Sequence, residues 1–236
     1  MVSFGRMSTY AEQVLSFLEH LVPPNRVPAG VGVMNPYQDP PAWNATVEFY
    51  QKYYADHSPR ILIIGINPGR FGGGITGIPF TDPINLRDEC GITNDFQKRT
   101  ELSSRFIYRM INSLGGAGKF YQRFFITATS PLGFVKGGKN LNYYDLPELQ
   151  NSWERFMVKC LRKQMSFQSV RDIVFVLGQG KNYKYLQYLN MKHHFFDSLE
   201  ILPHPRWVMQ YRLKRIDEFL DVYKQKLEGA AEKYLA

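Results

Sequence analysis

The sequence predicts an α/β fold in three layers, with a central sheet of four mainly parallel strands between two layers of helices. Four largely apolar segments predict the strands: RILIIGIN, RFFITAT, DIVFVLGQG and SLEILPHP. The first segment is continuously apolar and rich in Ile, which is typical of a strand covered on both faces. Helical patterns separate the segments, and this alternation is typical of a parallel sheet with helices on both sides.

The helices are predicted from apolar residues spaced three or four positions apart. The prolines of VPPN end the first helix, and the glycines of GGAG end the third. Gly229 is the predicted end of the last helix. The predicted helices are residues 10–21, 43–54, 102–114, 149–161 and 185–189, and a final helix that begins near Met209.

Segments rich in Pro, Gly and Asp predict the loops between these elements. Residues 22–42 and 130–147 are predicted to be ordered loops, and residues 69–95 a long functional loop. The sequence contains no internal repeat, low-complexity tract or linker. Residues 1–236 are therefore predicted to form one domain, in which residues 1–40 supply an N-terminal helix and loop.

The composition narrows the classes of function. The net charge of +8 and a pI near 9.4 favour a polyanionic partner, with nucleic acid ahead of an anionic membrane. The only two cysteines, Cys90 and Cys160, exclude a four-cysteine zinc or iron–sulfur site within one chain. The sequence shows neither a signal peptide nor an apolar run of ~18 residues, so we expect a cytoplasmic protein without a membrane span.

Four polar residues lie just past the predicted strand ends: Asn67, Ser130, Gln179 and His204. The carboxyl ends of parallel strands meet at one edge of a sheet, and ligands of such folds bind at that edge. These residues are far apart in sequence, and we therefore expect them to converge on one cleft.

Two glycine-rich segments share features with phosphate-binding loops but lack the required context. GFVKGGK, residues 133–139, has the spacing of a P-loop, yet Asn140 stands where Ser or Thr would bind magnesium, and no helix is predicted to follow. GINPGRFGGGITGIPF, residues 65–80, differs in spacing from a dinucleotide fingerprint, and Pro68 and Pro79 oppose the helix that such a site requires. Neither nucleotide hydrolysis nor a nicotinamide cofactor is predicted.

Three residues near the strand ends each allow two interpretations. The amide of Asn67 can orient a water molecule or cap its own turn. Phe80 can stack on a nucleic-acid base, a contact worth ~1–3 kcal/mol in single-strand binding proteins, or anchor its loop in the core. His204, which lies between two prolines, can donate to a developing negative charge or occupy a surface turn. The basic segment after His204 suits phosphate contact and insertion into a base stack, or forms a solvated helix face.

Residues 65–80 and the segment HPRWVMQYR, residues 204–212, together resemble the uracil-DNA glycosylase superfamily. Within it, they resemble the single-strand-selective monofunctional uracil-DNA glycosylases and their divergent bacterial relatives. The first family motif has the form G-[M/I]-N-P-G-x-F-G-x-x-x-T-G-x-P-F, which residues 65–80 supply without a gap. The second begins H-P-S-P-R in animal members and is shortened here to His204-Pro205-Arg206. The resemblance covers residues 40–225 of the chain.

The resemblance implies a monofunctional glycosylase that extrudes uracil or a related deaminated or oxidised base from DNA and hydrolyses its N-glycosidic bond, in base excision repair. It implies that Asn67 positions the attacking water, that Phe80 stacks on the base and that His204 hydrogen-bonds the base O2. The wider base pocket is expected to comprise Ile66, Gly69, Phe71, Gly77, Phe80, Thr129 and Ser130. The expected DNA contacts, which include the wedge that fills the gap in the DNA, are Lys136, Lys139, Arg206, Trp207, Met209, Gln210 and Arg212.

One position departs from the family pattern. Animal members carry a base-reading Asn just before Cys-Pro-Leu, and Ala128 occupies that position here. The hydroxyl of Thr129 or Ser130, or backbone groups, could replace the missing amide. Strict discrimination between uracil and cytosine is then not expected, and deaminated purines such as xanthine or hypoxanthine become candidate substrates.

The resemblance also sets expectations about partners and place. The expected partner is DNA, with single strands preferred over duplex, and neither a cofactor, a metal nor a membrane is expected. The chain is expected to be a monomer in the bacterial cytosol. Two alternatives stay open: a non-catalytic binder of single-stranded nucleic acid, and a nucleoside hydrolase-like enzyme on the same fold.

Overall fold

The computed structural model describes residues 7–235 and contains both strands and helices. Short 3-10 turns lie at Pro36–Gln38 and Leu213–Arg215. The strands and α-helices are α1 (Tyr10–Glu19), β1 (Val31–Met34), α2 (Pro40–Tyr54), β2 (Arg60–Gly65), α3 (Gly73–Thr76), α4 (Pro83–Asp88), α5 (Leu102–Ser113), α6 (Gly116–Tyr121), β3 (Phe124–Ala128), β4 (Gly133–Lys136), β5 (Lys139–Leu141), α7 (Pro147–Met165), β6 (Ser169–Leu177), α8 (Lys181–His193), β7 (Ser198–Leu202), α9 (Pro205–Tyr211) and α10 (Ile216–Tyr234).

The central sheet has four strands in the order β3-β2-β6-β7, and every neighbouring pair is parallel. Strand β2 lies in the middle and is buried along its whole length, which explains its unbroken apolar sequence. The predicted fold class, a mainly parallel four-stranded sheet flanked by helices, is therefore confirmed. Because all four strands run the same way, Gly65, Ala128, Leu177 and Leu202 end them at one edge.

Aromatic contacts fix the helices against the sheet. Tyr10 of α1 lies 5.5 Å from the ring of Tyr54 in α2, and both rings contact Phe125 of β3 edge-on. In a second group of helices, Phe106 of α5 packs edge-on against Tyr223 of α10 at 5.0 Å. The Tyr223 hydroxyl donates to the Pro203 carbonyl at 2.5 Å, which connects α10 to the segment just after β7. This contact helps to hold His204 at the edge where the strands end.

Two segments that were predicted to be loops contain strands. Residues 130–147 include the hairpin β4–β5, and residues 22–42 include β1, which pairs with β4 to complete a second, three-stranded antiparallel sheet. Gly137 and Gly138 link β4 to β5 with φ of 55° and 68°. Two successive positive φ angles are typical of the tightest hairpin turns. The loop predictions were wrong here because these strands are only three or four residues long.

Helix boundaries also differ from the prediction. Residues 69–95 contain the short helices α3 and α4, and GGAG begins α6 as well as ending α5. Helix α8 is longer than the predicted residues 185–189. The last predicted helix is divided at Arg212 into α9 and α10. Helix α10 continues past Gly229 because Ala230 and Ala231 extend its buried face.

Residues 1–6 of the predicted N-terminal segment lie outside the described residues. Within residues 7–235, no helix is long and apolar enough to cross a bilayer. The assignment of residues 1–236 to a single domain stays a prediction.

Candidate active site

Asn67 lies two residues past β2, and its side chain joins the first motif to the end of the β4–β5 hairpin. Its Nδ2 donates to the Leu141 carbonyl at 3.2 Å, and its Oδ1 accepts from the Tyr143 amide at 3.1 Å. A longer contact of 3.4 Å runs from Nδ2 to the Pro68 carbonyl. The backbone of a distant segment therefore fixes the orientation of this amide, and one lone pair of Oδ1 is left for a further donor.

Phe80 ends the first motif in a strained backbone conformation. Its φ is 53°, in the left-handed region that non-glycine residues rarely occupy at a cost of about 1–3 kcal/mol. The ring lies against Gly65, where an added Cβ would come within 2.8 Å of the ring atom Cε2. The Thr76 hydroxyl donates to the Thr81 carbonyl at 2.7 Å and so holds the following residue in place. The half-buried ring is thereby held at the end of β2.

A small cavity of about 50 Å³ lies between the first motif and the end of β3. We call it the base cavity. It has room for about one or two water molecules, since a water occupies roughly 30 Å³ in the liquid. A nucleic-acid base could enter only if its walls move. The residues of the predicted site that line it are Ile66, Asn67, Gly69 and Phe80, together with Ala128 and Glu101.

His204 follows β7 and caps the amino end of α9. Its Nδ1 accepts from the Arg206 amide at 3.2 Å, so the neutral ring carries its proton on Nε2. Burial, assisted by the Arg206 charge, lowers the pKa of His204 from its ordinary value of 6.5 to about 4. The side chain is therefore a neutral imidazole at physiological pH, with an Nε2–H donor that is free of this cap.

His204 lines a second cavity of about 480 Å³, which Trp207 and Asn182 also line. Ile66 lines both this cavity and the base cavity, so the two adjoin at the end of β2. Gly178, with φ of 91°, follows β6 beside the histidine, and a Cβ there would lie 3.2 Å from the His204 Cβ. A side chain at position 178 would press on the imidazole.

Asn182 was missed in the sequence, although it lies near the end of β6 at the start of α8. Its Oδ1 accepts from the Thr129 hydroxyl at 2.9 Å and from the Tyr143 hydroxyl at 2.7 Å. Its Nδ2 donates to the Gly65 carbonyl at 3.3 Å. The buried amide therefore joins the ends of β2 and β3 to the segment that orients Asn67. The available signal was its place just past a strand, the same signal that marked His204.

Thr129 and Ser130 do not line the base cavity, contrary to the expectation that their hydroxyls replace the missing amide. Both residues are fully buried. The Thr129 hydroxyl is used by Asn182, and the Ser130 hydroxyl donates to the Leu132 carbonyl at 2.8 Å. Their hydroxyls hold the strand-end turn together in this conformation.

Gly77 and Met209 also lie away from the predicted contacts. Gly77 ends α3 with φ of 76°, and a Cβ there would overlap the Thr46 hydroxyl, so this glycine serves the packing of the loop on α2. Met209 is 6% exposed and belongs to the hydrophobic core, so it cannot act as a surface contact to DNA in this conformation.

A basic cavity of about 450 Å³ lies beside the base cavity, and Glu101 lines both. Lys139 from the hairpin and Arg206 from α9 line it, as does Phe71 of the first motif. Arg70, which the sequence reasoning did not select, also lines it; its guanidinium lies 4.3 Å from the Phe71 ring and donates to the Gly138 carbonyl. Cations from three separate segments therefore line one cavity.

Exposed rings lie along α9 and the turn that follows. Trp207 is 40% exposed, and the Arg212 guanidinium lies 4.9 Å from its ring. Tyr211 and Leu213 are 65% and 53% exposed, and neither was predicted as a DNA contact. The predicted Gln210 and Lys136 are exposed as well. The surface that carries the predicted wedge thus has apolar side chains beside its cations.

Comparison with known proteins places the chain in a family. The model of the family described as "Uracil DNA glycosylase superfamily" matches residues 51–228. The single-strand selective monofunctional uracil-DNA glycosylases of Rattus norvegicus and Mus musculus are each 28% identical over 148 residues. These alignments cover 54% of this chain and 52% of each relative, so the matched region spans about half the length of those proteins.

A solved structure matches over almost the whole chain. The crystal structure of wild-type SMUG2 of Pedobacter heparinus superposes with a TM-score of 0.92 at 39% sequence identity. The match covers 96% of this chain and 100% of that one.

Proposed function

The chain belongs to the uracil DNA glycosylase superfamily, and we propose that it extrudes uracil or a related deaminated or oxidised base from DNA and hydrolyses its N-glycosidic bond. One observation carries this proposal: Asn67, Phe80 and His204 line two cavities that adjoin at Ile66, where the parallel strands end. A water-orienting amide, a stacking ring and a neutral donor are the groups that this hydrolysis needs.

His204 supports departure of the base. Cleavage of the glycosidic bond leaves negative charge on the base and positive charge on the sugar. A neutral imidazole whose Nε2–H faces the base stabilises that negative charge without the cost of burying a cation. Its low pKa keeps the ring in this state throughout the neutral range.

Asn67 supports attack by water. Its amide is held by the Leu141 carbonyl and the Tyr143 amide, and the remaining lone pair of Oδ1 can accept a hydrogen bond from a water molecule. An amide is a poor base, so the proposed reaction depends on stabilising the leaving group more than on removing a proton. We assign no lysine nucleophile, and the proposed enzyme is monofunctional.

Single-stranded DNA is the proposed preferred substrate. Extrusion from a duplex costs a few kcal/mol of pairing and stacking energy, which a single strand largely avoids. The exposed rings of Trp207 and Tyr211 offer surfaces on which unpaired bases can stack. Arg70, Lys139 and Arg206 line one cavity, and we assign them to the phosphates beside the extruded nucleotide.

The decisive assay uses single-stranded oligonucleotides that carry uracil, 5-hydroxymethyluracil, xanthine or hypoxanthine, with matched duplexes and an undamaged strand as control. Alkali cleaves the strand wherever a base has been excised, and the product is scored on a gel. We expect product from at least one lesion, and more from the single strand than from its duplex. Binding without product from any of the four would refute the enzymatic proposal and leave a non-catalytic binder.

A further inference from the structure

Glu101 lies between the base cavity and the basic cavity and lines both. In the base cavity it shares the wall with Phe80, Asn67 and Ala128. No motif selects it, because it lies 21 residues beyond Phe80 at the amino end of α5. Its carboxyl is the acidic group in the wall of the base cavity among the described residues.

The backbone holds Glu101 in place against the first motif. The Glu101 amide donates to Asp82 Oδ2 at 2.9 Å, and Asp82, fully buried two residues after Phe80, caps α4 with its other oxygen. Two glycines of the motif leave room for the carboxyl. A Cβ at Gly69 would lie 3.0 Å from Oε1, and one at Gly72 would overlap Oε2. Side chains at these two positions would displace the carboxyl.

The Glu101 carboxyl has no hydrogen-bond or ion-pair partner within residues 7–235. Burial, followed by the nearby Asp82 charge, raises the pKa of Glu101 from 4.5 to about 7, while Arg206 acts in the opposite direction. The amino end of α5 and the cations Arg70 and Lys139 of the basic cavity also favour the ionised form. A half-buried acid whose oxygens are unused is suited to meeting a ligand.

A protonated carboxyl presents a carbonyl acceptor beside a hydroxyl donor, the same pair that an Asn amide presents. Uracil, 5-hydroxymethyluracil, hypoxanthine and xanthine all carry the matching edge, a ring N–H beside a carbonyl oxygen. Ala128 can form neither bond through its side chain, and the hydroxyls of Thr129 and Ser130 are used elsewhere. An ionised carboxylate could only accept hydrogen bonds, and would repel a carbonyl oxygen.

We propose that Glu101, in its protonated form, contacts the N–H and carbonyl edge of the extruded base and supplies the recognition that Ala128 cannot. This inference rests on the proposed glycosylase function and names a base-contacting residue for it. Such a contact predicts excision that weakens as the carboxyl ionises, a dependence that neither His204 nor Asn67 would produce in the neutral range.

The test measures single-turnover excision of uracil from a single strand between pH 5.5 and 8.5, at saturating protein. We expect the wild-type rate to fall by ~10-fold per pH unit above its midpoint, as for any step that requires one bound proton. Glu101→Gln keeps the acceptor–donor pair at every pH, so its rate should stay flat and exceed the wild-type rate at pH 8.5. Glu101→Ala should be at least ~10-fold slower than Glu101→Gln throughout.

Asp95→Asn is the matched control, because it removes one carboxylate from an exposed position in the same segment. It should keep the wild-type rate and pH profile. A Glu101→Gln protein that keeps the wild-type pH profile, or a Glu101→Ala protein as fast as wild type, would overturn the inference while leaving the glycosylase proposal intact. A folded but inactive Glu101→Gln protein would overturn it too. A wild-type protein that excises no base at any pH would instead refute the proposed function, and this inference with it.

Discussion

The two ends of strand β2 differ in how their buried polar and charged side chains are paired. At the amino end, the fully buried Arg60 donates to both oxygens of Asp56, at 2.5 and 2.8 Å, and to the Tyr121 carbonyl at 3.1 Å. The rings of Tyr10 and Tyr54 lie 5.1 and 5.3 Å from its guanidinium. The guanidinium therefore meets a carboxylate, a carbonyl and two ring faces, as expected of a structural ion pair.

At the carboxyl end, three residues depart from this pattern of a paired charge. Phe80 has a left-handed backbone, the Glu101 carboxyl has no partner among the described residues, and His204 is held neutral by burial. Departures of this kind cost stability and persist where binding or catalysis needs them. The comparison suggests a division in which one end of the strand stabilises the fold and the other holds the groups that we propose to act on the substrate.

Replacing Arg60 tests most directly whether the amino end of β2 contributes to stability and not to excision. Arg60→Ala should lower the free energy of unfolding by about 3–5 kcal/mol, because it leaves a cavity in the core and leaves the buried Tyr121 carbonyl without its partner. Excision per folded molecule should not change. Urea unfolding and a uracil-excision assay on the same samples give the two numbers.

Arg60→Met is the matched variant, since apolar replacement of a buried charge at similar volume is often close to neutral. A loss of specific excision activity in either folded variant would show that the amino end also contributes to function.

His204 should show the opposite behaviour. His204→Ala should slow uracil excision by ~10²–10³-fold, the usual cost of removing one preorganised donor, while losing only about 1 kcal/mol of stability with the α9 cap. The exposed His20 gives the control His20→Ala, which should be indistinguishable from wild type. Equal losses of stability and activity would indicate that His204 is structural.

His204 should also make the free energy of unfolding depend on pH. Its folded pKa of about 4 lies below the ordinary 6.5, so unfolding takes up as much as one proton between these values. This contribution is fully present above pH 6.5 and is lost as the pH falls towards 4. Urea titrations in this window should show a shallower pH dependence for His204→Ala than for wild type; equal slopes would contradict the assignment of a neutral histidine.

Replacing Asn67 tests whether the excision rate and the affinity for DNA depend on different residues at the carboxyl end. Asn67→Ala should slow excision by ~10²-fold or more, because the attacking water loses its orienting group. Binding to a lesion-containing single strand, measured by fluorescence anisotropy, should stay within a few-fold of wild type. Retention of full turnover would remove Asn67 from the mechanism, and loss of binding in proportion to turnover would make it a structural bridge to the hairpin.

The sequence predicts the strands and the motif residues of the site better than the residues that are positioned by distant contacts. Buried strands are recognised by their continuous apolar runs, so the sequence predicts β2 and the edge of the sheet where it ends. Asn67 and His204 followed from their places just past strands and from motif spacing. Asn182 and Glu101 are positioned by contacts to residues distant in sequence, and no local pattern marks such contacts.

The hairpin was missed for a different reason. Its strands are too short to show a period, although the two glycines of its Gly137–Gly138 turn are a recognised hairpin signal. The consequence was functional, because the hairpin carries Lys136 and Lys139 and leads to the backbone that orients Asn67. Only the topology shows that the hairpin carries both the two lysines and the connection to the backbone that orients Asn67.

The smallest expected effect is on the binding of a single strand, and it is measured by comparing one lysine at each end of the sheet. Lys139 lines the basic cavity at the carboxyl end, whereas the exposed Lys119 lies in α6, just before β3 begins at the opposite end. Lys139→Ala should weaken binding to a single strand modestly and reduce the slope of log K against log salt concentration by about one contact's share, ~0.7 for single strands. Lys119→Ala removes the same charge and should leave the slope unchanged, because only a cation that touches a phosphate releases a counterion. Equal slopes for the two variants would mean that DNA responds to the net charge of the whole protein, and the basic cavity would lose its role as the path of the phosphates.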